Sequence, residues 1–170
     1  AHRHHGGKVQ KLLLPAGERG HIAVKPPLNP EERRRLGDAG TDLGTYAREH
    51  PNDAEAQNAL GVVMLRAGNY ASAKAHLDRA IALRPEQGEY YYNRANVLKE
   101  QKEFKAAIDD YTRAVAFIPD LAGAYINRGD VRFLLRETEG ACQDLKKACE
   151  LGECDRLEKY EDAGRCRDFF

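Results

Sequence analysis

The chain has 170 residues, enough for one domain to bury most of the surface that its unfolded form would expose. Lys plus Arg and Asp plus Glu each number 27, so no net field draws in nucleic acid or an anionic membrane surface. No apolar run approaches the roughly 18 residues that a membrane span needs, so the composition reads as that of a protein with no membrane span and no nucleic-acid partner.

The opening Ala1-His2-Arg3-His4-His5-Gly6-Gly7 begins without Met, as a processed chain or a tag remnant does, and its histidines carry no weight as ligands. Val9 to Leu14 and His21 to Val24 are short β-like runs on either side of Ala16-Gly17-Glu18-Arg19-Gly20, with prolines at 26, 27 and 30. Residues 1–29 therefore read as an extended or small hairpin arm. Leu12, Leu13 and Leu14 would be a liability in a free tail, so the arm is expected to dock in its own groove or on a neighbouring molecule. Residues 30–53 read as an N-terminal capping helix, with Pro30 at its start, Glu31 and Glu32 in its first turn, and Pro51 as its stop.

From residue 54 the chain repeats itself every 34 residues. Pro85 and Pro119 stand 34 apart, and Ala73, Leu77, Ala80 recur as Ala107, Tyr111, Ala114 and again as Ala141, Leu145, Ala148. The first half of each copy has helical period, in Leu60, Gly61, Met64, then Tyr91, Ala95, Leu98, then Tyr125, Gly129, Phe133. Gly61, Ala95 and Gly129 share one slot, where a larger side chain would push paired helices apart. Gly68-Asn69-Tyr70, Lys102-Glu103-Phe104 and Glu137-Thr138 mark the turn between the halves. Where the slot after Asn is Arg94 or Arg128, the residue 16 positions later is Asp110 or Asp144; in the first copy the same slots hold Leu60 and His76. The pair changes together, which makes the arginines structural before they are ligand-binding.

The segments NALGVVMLRAGNYASAKAHLDRAIALRP, YYNRANVLKEQKEFKAAIDDYTRAVAFIP and AYINRGDVRFLLRETEGACQDLKKACELG resemble tetratricopeptide repeats (TPR) over residues 54 to about 153. The family's usual Trp is replaced by Gln57, Tyr91 and Tyr125, and an irregular helical bundle is the competing architecture. The resemblance implies an all-α, right-handed TPR superhelix of three repeats, 54–87, 88–121 and 122–153. A capping helix precedes them, and a C-terminal capping helix and tail, 154–170, follow. In that cap Asp155 to Ala163 has helical charge patterning, and Gly164 is its stop.

The resemblance further implies that first helices line a concave groove facing a protein or peptide. The groove positions are Asn58, Val62 and Leu65, then Tyr92, Asn93, Asn96 and Lys99, then Ile126, Asn127, Asp130 and Phe133. Asn side chains can grip an extended backbone, and Tyr92 or Phe133 can anchor an apolar group or else fill space between helices. The family's carboxylate clamp uses Lys, Asn, Asn, Lys and Arg. Its slots here hold Asn58, Val62, Asn93, Gly123 and Asn127, so only Asn93 matches, which argues against a receptor for chaperone tails. No nucleophile elbow, phosphate-cradling loop or metal constellation is present, so the expected function is a protein-interaction adaptor, not an enzyme, with no cofactor. The alternative is a structural module that self-associates through its arm.

All four cysteines lie near the C-terminus: Cys142, Cys149, Cys154 and Cys166. Cys142 and Cys149 are roughly 10 Å apart on one helix, too far to bond each other. If the cap helix runs back antiparallel, Cys149 to Cys154 closes the turn and Cys142 to Cys166 ties the far end. KACELGEC also resembles secreted cysteine-rich helical repeats, with shorter spacing. Disulfides place the chain in a bacterial periplasm or another exported compartment, as part of an envelope or secreted assembly. Reduced thiols in a cytoplasmic protein and, more weakly, zinc are the competing readings.

Overall fold

The computed structural model describes residues 28–169; the β-like runs and the docking expected of the arm fall on residues 1–27 and lie outside it. Every secondary-structure element among the described residues is helical. The elements are α1 Pro30–Glu49, α2 Ala54–Arg66, α3 Tyr70–Leu83, α4 Gly88–Glu100, α5 Phe104–Phe117, α6 Ala122–Leu134, α7 Thr138–Glu150, α8 Asp155–Asp162 and a 3-10 turn at Arg167–Phe169. No described helix is long and apolar enough to cross a membrane. The described residues form two compact units, 28–86 and 87–169.

In the first unit, α1 starts on a capping box. Asn29 Oδ1 accepts from the Glu32 backbone N–H at 2.8 Å, and Glu32 Oε2 accepts from the Asn29 N–H at 2.9 Å, with Pro30 opening the helix. Leu43 and Ala47 are its fully buried residues, packed on Ala56, Ala59, Leu60 and Val63 of α2. The helix thus covers one side of α2 and leaves most of its own surface to water, as a cap does. Asp53 caps α2 through Oδ1, which accepts from the Glu55 and Ala56 N–H groups at 3.0 and 3.1 Å.

Gly61 is where α2 crosses α3. A Cβ there would lie 2.6 Å from Leu77 Cγ and 3.2 Å from the Ala73 carbonyl oxygen, so the residue must be small for the two helices to touch. Leu60, in the slot that Arg94 and Arg128 hold in the later copies, joins the apolar core, while His76 pairs with Gln57, its Nδ1 lying 2.9 Å from Oε1.

The second unit holds two helix pairs and the C-terminal cap. Arg94 grips Asp110 with two hydrogen bonds, Nε to Oδ2 at 2.6 Å and Nη2 to Oδ1 at 2.9 Å. Arg128 repeats the fork on Asp144 at 3.0 and 2.7 Å. Gly129 reproduces the tight crossing, with the site of a Cβ 3.2 Å from the Ala141 carbonyl oxygen and 3.3 Å from Leu145 Cγ. The turn between paired helices takes a left-handed residue at the same 34-residue slot throughout the chain, Gly68 at φ +80° and Lys102 and Arg136 at +62°. Only the first copy spends a glycine on it, so the other two carry a conformation that L residues seldom adopt.

After α7 the chain turns back through Gly152, at φ +100°, into the eight-residue α8. Disulfides join Cys149 to Cys154 across that turn and Cys142 to Cys166 beyond the helix, with Cα–Cα distances of 4.0 and 5.5 Å. Leu157 of α8 is buried among Ile126, Cys142, Leu145, Ala148 and Cys166.

Replacing Gly61 by Val forces Leu77 off its seat and is expected to cost about 1–3 kcal/mol, read as a lower urea midpoint. Burial lowers the His76 pKa below its ordinary 6.5. The fold selects the neutral ring, so its contribution is complete above the unfolded value and is lost as pH falls through 6.5 toward the lowered folded value. Between about pH 7.5 and 5.5 the unfolding midpoint is expected to drop further in the parent protein than in His76→Gln.

Candidate partner-binding surface

The positions read as groove-facing fall on α2 in the first unit and on α4 and α6 in the second. On α2, Asn58 and Val62 are buried and Leu65 is half-buried. On α4, Tyr92 and Asn93 are buried, and Asn96 and Lys99 are half-buried. On α6, Asn127 and Asp130 are buried, Phe133 is half-buried, and Ile126 lies in the core with Cys142 and Leu145, so its side chain serves packing.

The amides on α4 and α6 form a network. Asn127 Nδ2 donates to Asn96 Oδ1 at 3.0 Å and to the Tyr92 hydroxyl at 3.4 Å, and the Tyr111 hydroxyl donates to Asn96 Oδ1 at 2.6 Å. Tyr111 is fully buried; burial pushes its phenol well above the usual range, which keeps the proton available for that bond. It is the network member that sequence reasoning missed, since a Tyr in the slot held by Leu77 and Leu145 reads as plain core. Asn127 Oδ1 is buried and receives no hydrogen bond among the described residues, so the network ends on an acceptor that lacks a donor.

Beyond the amides the surface becomes charged and aromatic. Burial lowers the Lys99 pKa, partly offset by Glu100, whose Oε1 is 3.9 Å from Nζ, and by Asp130. Burial pushes the Asp130 pKa up, partly offset by α8, where Arg156 Nη2 lies 3.3 Å from Oδ2 and the Tyr160 hydroxyl donates to Oδ1 at 3.1 Å. Phe133 stacks on the Tyr160 ring at 4.2 Å, and the Arg165 guanidinium lies over both rings, 5.9 and 5.6 Å from their centroids. Asp130 and Phe133 are thus covered by the chain's own C-terminal helix. Arg156 carries no period-34 signal and could not be found from the repeat.

The arginine forks lie on the other side of these helices. Asp144 also accepts from Arg132 Nη1 at 2.8 Å, and Arg128 Nη1 donates to Thr112 Oγ1 at 3.0 Å, linking α6 to α5. With every one of these groups engaged, the arginines build the fold.

A profile described as tetratricopeptide repeat matches residues 31–73 and 64–122, more than half of the chain. The chain belongs to the tetratricopeptide-repeat family. A TPR repeat-containing thioredoxin of Arabidopsis thaliana is 41% identical over 66 residues, 39% of this chain and 10% of that protein, so the match spans about a tenth of the relative's length. Among solved structures, MamA is similar with a TM-score of 0.69 at 23% identity, over 84% of this chain and 88% of that one, a likeness of fold alone. The Arabidopsis OM64 TPR domain has a TM-score of 0.62 at 25% identity, over 65% of this chain and 92% of that one. The first TPR of Spaghetti (RPAP3), bound to the HSP90 peptide SRMEEVD, has a TM-score of 0.60 at 27% identity, over 65% and 91%.

Substituting Asp144 by Ala strips two guanidinium groups of one carboxylate in a site where the Asp144 side chain is 5% exposed. The expected loss is about 3–5 kcal/mol by chemical denaturation. Asp110→Ala, which strips the 20% exposed Arg94 of its carboxylate, is expected to lose less.

Proposed function

We propose that this TPR chain is a protein-interaction adaptor that holds a peptide or partner segment on the faces of its first helices, α2 in one unit and α4 with α6 in the other. The supporting observation is that a solved TPR of the same fold, at 27% identity, has a peptide bound. The chemistry of α4 and α6 suits an extended backbone: Asn93, Asn96 and Asn127 carry both donors and acceptors, Asn127 Oδ1 lacks a donor, and Tyr92 supplies a ring beside them. The clamp slots hold Asn58, Val62, Gly123 and Asn127 around the matching Asn93, so the preferred ligand is an internal or apolar-anchored segment and not a free terminal acid. The two disulfides favour an exported setting, within an envelope or secreted assembly.

The test is selection from a random peptide library displayed with free and with amidated C-termini, followed by fluorescence anisotropy. Selected peptides are expected to bind equally well in both forms and to lose about tenfold or more in affinity, roughly 1.4 kcal/mol, to Tyr92→Ala combined with Asn93→Ala, in protein verified folded by circular dichroism. Undiminished binding by that variant refutes the α4–α6 seat. A strict requirement for a free carboxylate refutes the ligand class.

A further inference from the structure

With eight residues, α8 is shorter than the roughly 12–15 that an isolated helix needs in water, so its order comes from its seat and its covalent ties. The seat is specific. Leu157 enters the core beside Ile126 and Leu145, the Tyr160 ring lies on Phe133 while its hydroxyl reaches Asp130, and Arg156 pairs with the same carboxylate. Arg156, Leu157 and Tyr160 stand at i, i+1 and i+4 and together form one docking face of the helix. These are the contacts of an amphipathic helix lying in a groove, except that this helix belongs to the chain that forms the groove.

The two disulfides bracket the seat and differ in access. Cys142 and Cys166 have no exposed surface, whereas Cys149 and Cys154 are half-buried beside the turn. Exchange requires a thiolate to reach a disulfide sulfur, so the turn disulfide is attacked first and the inner one only after α8 lifts.

We infer that α8 is a cis occupant of a helix-docking face on the third repeat, and that thiol–disulfide exchange beginning at Cys149–Cys154 frees that face for a partner helix carrying a basic residue, an apolar residue next to it and an aromatic four places on. The inference rests on the reading of α4 and α6 as an interaction surface. In the exchange, one thiolate of a dithiol reductant bonds to a sulfur of the pair and expels the other cysteine as thiolate. The second thiol of the reductant then displaces the remaining cysteine and leaves as a disulfide. Two electrons and two protons reach the protein for each bond opened. Released α8 stays tethered through Leu151–Cys154 and competes at high local concentration, so the partner must bind the seat better than α8 does once the staples are gone.

The experiment compares the full chain oxidised and in dithiothreitol. Amide exchange over residues 155–162 is expected to quicken about tenfold or more on reduction, with α4 to α7 unchanged. A fluorescein-labelled synthetic peptide of residues 153–163 with Cys154→Ser is expected to bind the reduced form about tenfold or more tightly than the oxidised one, and Asp130→Ala to abolish the difference. Equal exchange in both states with all four thiols titrated, or equal peptide binding, overturns the inference. If reduction unfolds the whole unit, Cys149→Ser with Cys154→Ser carries the test: its remaining bond should be reduced about tenfold faster than Cys142–Cys166 in the intact protein, and an unchanged rate overturns the ordered opening. The exchange measurement involves no partner, so failure of the gate is distinct from failure of the peptide surface, which the library selection and the Tyr92→Ala with Asn93→Ala variant test separately.

Discussion

How near two helices can lie is set by the bulk at their crossing point, and in this chain that bulk is held to a hydrogen atom or a methyl group. Gly61 leaves no room for a Cβ against Leu77, and Gly129 leaves little against Ala141 and Leu145. With the crossing fixed, the remaining 34-residue pattern has somewhere to go. The fully buried Ala73, Leu77, Ala80 and their later equivalents meet the paired helix, and the acceptor 16 residues after Arg94 or Arg128 comes within reach of a guanidinium. The first helices are then free to present their other face, where the amides and aromatic rings collect.

The repeat is legible in the sequence because its signals are local and recur. Small residue, apolar residue and turn each return after 34 positions, and the arginine–aspartate exchange supports the register. Interactions that occur once are harder to read. His76 shows that its slot is polar, but its partner is Gln57 and not Leu60, because Gln57 holds the position that aromatic residues take in the later copies and offers the oxygen that Leu60 lacks. Tyr111 is disguised in the same way, an aromatic in a leucine slot whose hydroxyl finds Asn96. Contacts of α8 with Asp130 and Phe133 join residues about thirty apart across a turn whose direction the period does not encode.

Charge is handled differently on the two sides of the second unit. On the arginine side each carboxylate meets a planar fork with well-aligned donors, the geometry in which a buried ion pair best recovers its desolvation cost. On the opposite side Asp130 accepts from the Tyr160 hydroxyl and has an arginine 3.3 Å away, and Lys99 lies 3.9 Å from its neighbouring glutamate. One side is built to be fixed. The other leaves polar groups partly satisfied, which is how a surface stays able to exchange one set of contacts for another.

The covalent ties also give the chain a polarity. Both disulfides lie after residue 141, whereas α1 is anchored by noncovalent contacts through Leu43 and Ala47. Because an array of repeats comes apart from whichever end is weakest, α1 is expected to loosen before the disulfide-tied helices α7 and α8. Loss of structure in such a chain has a direction, set by where its covalent ties lie.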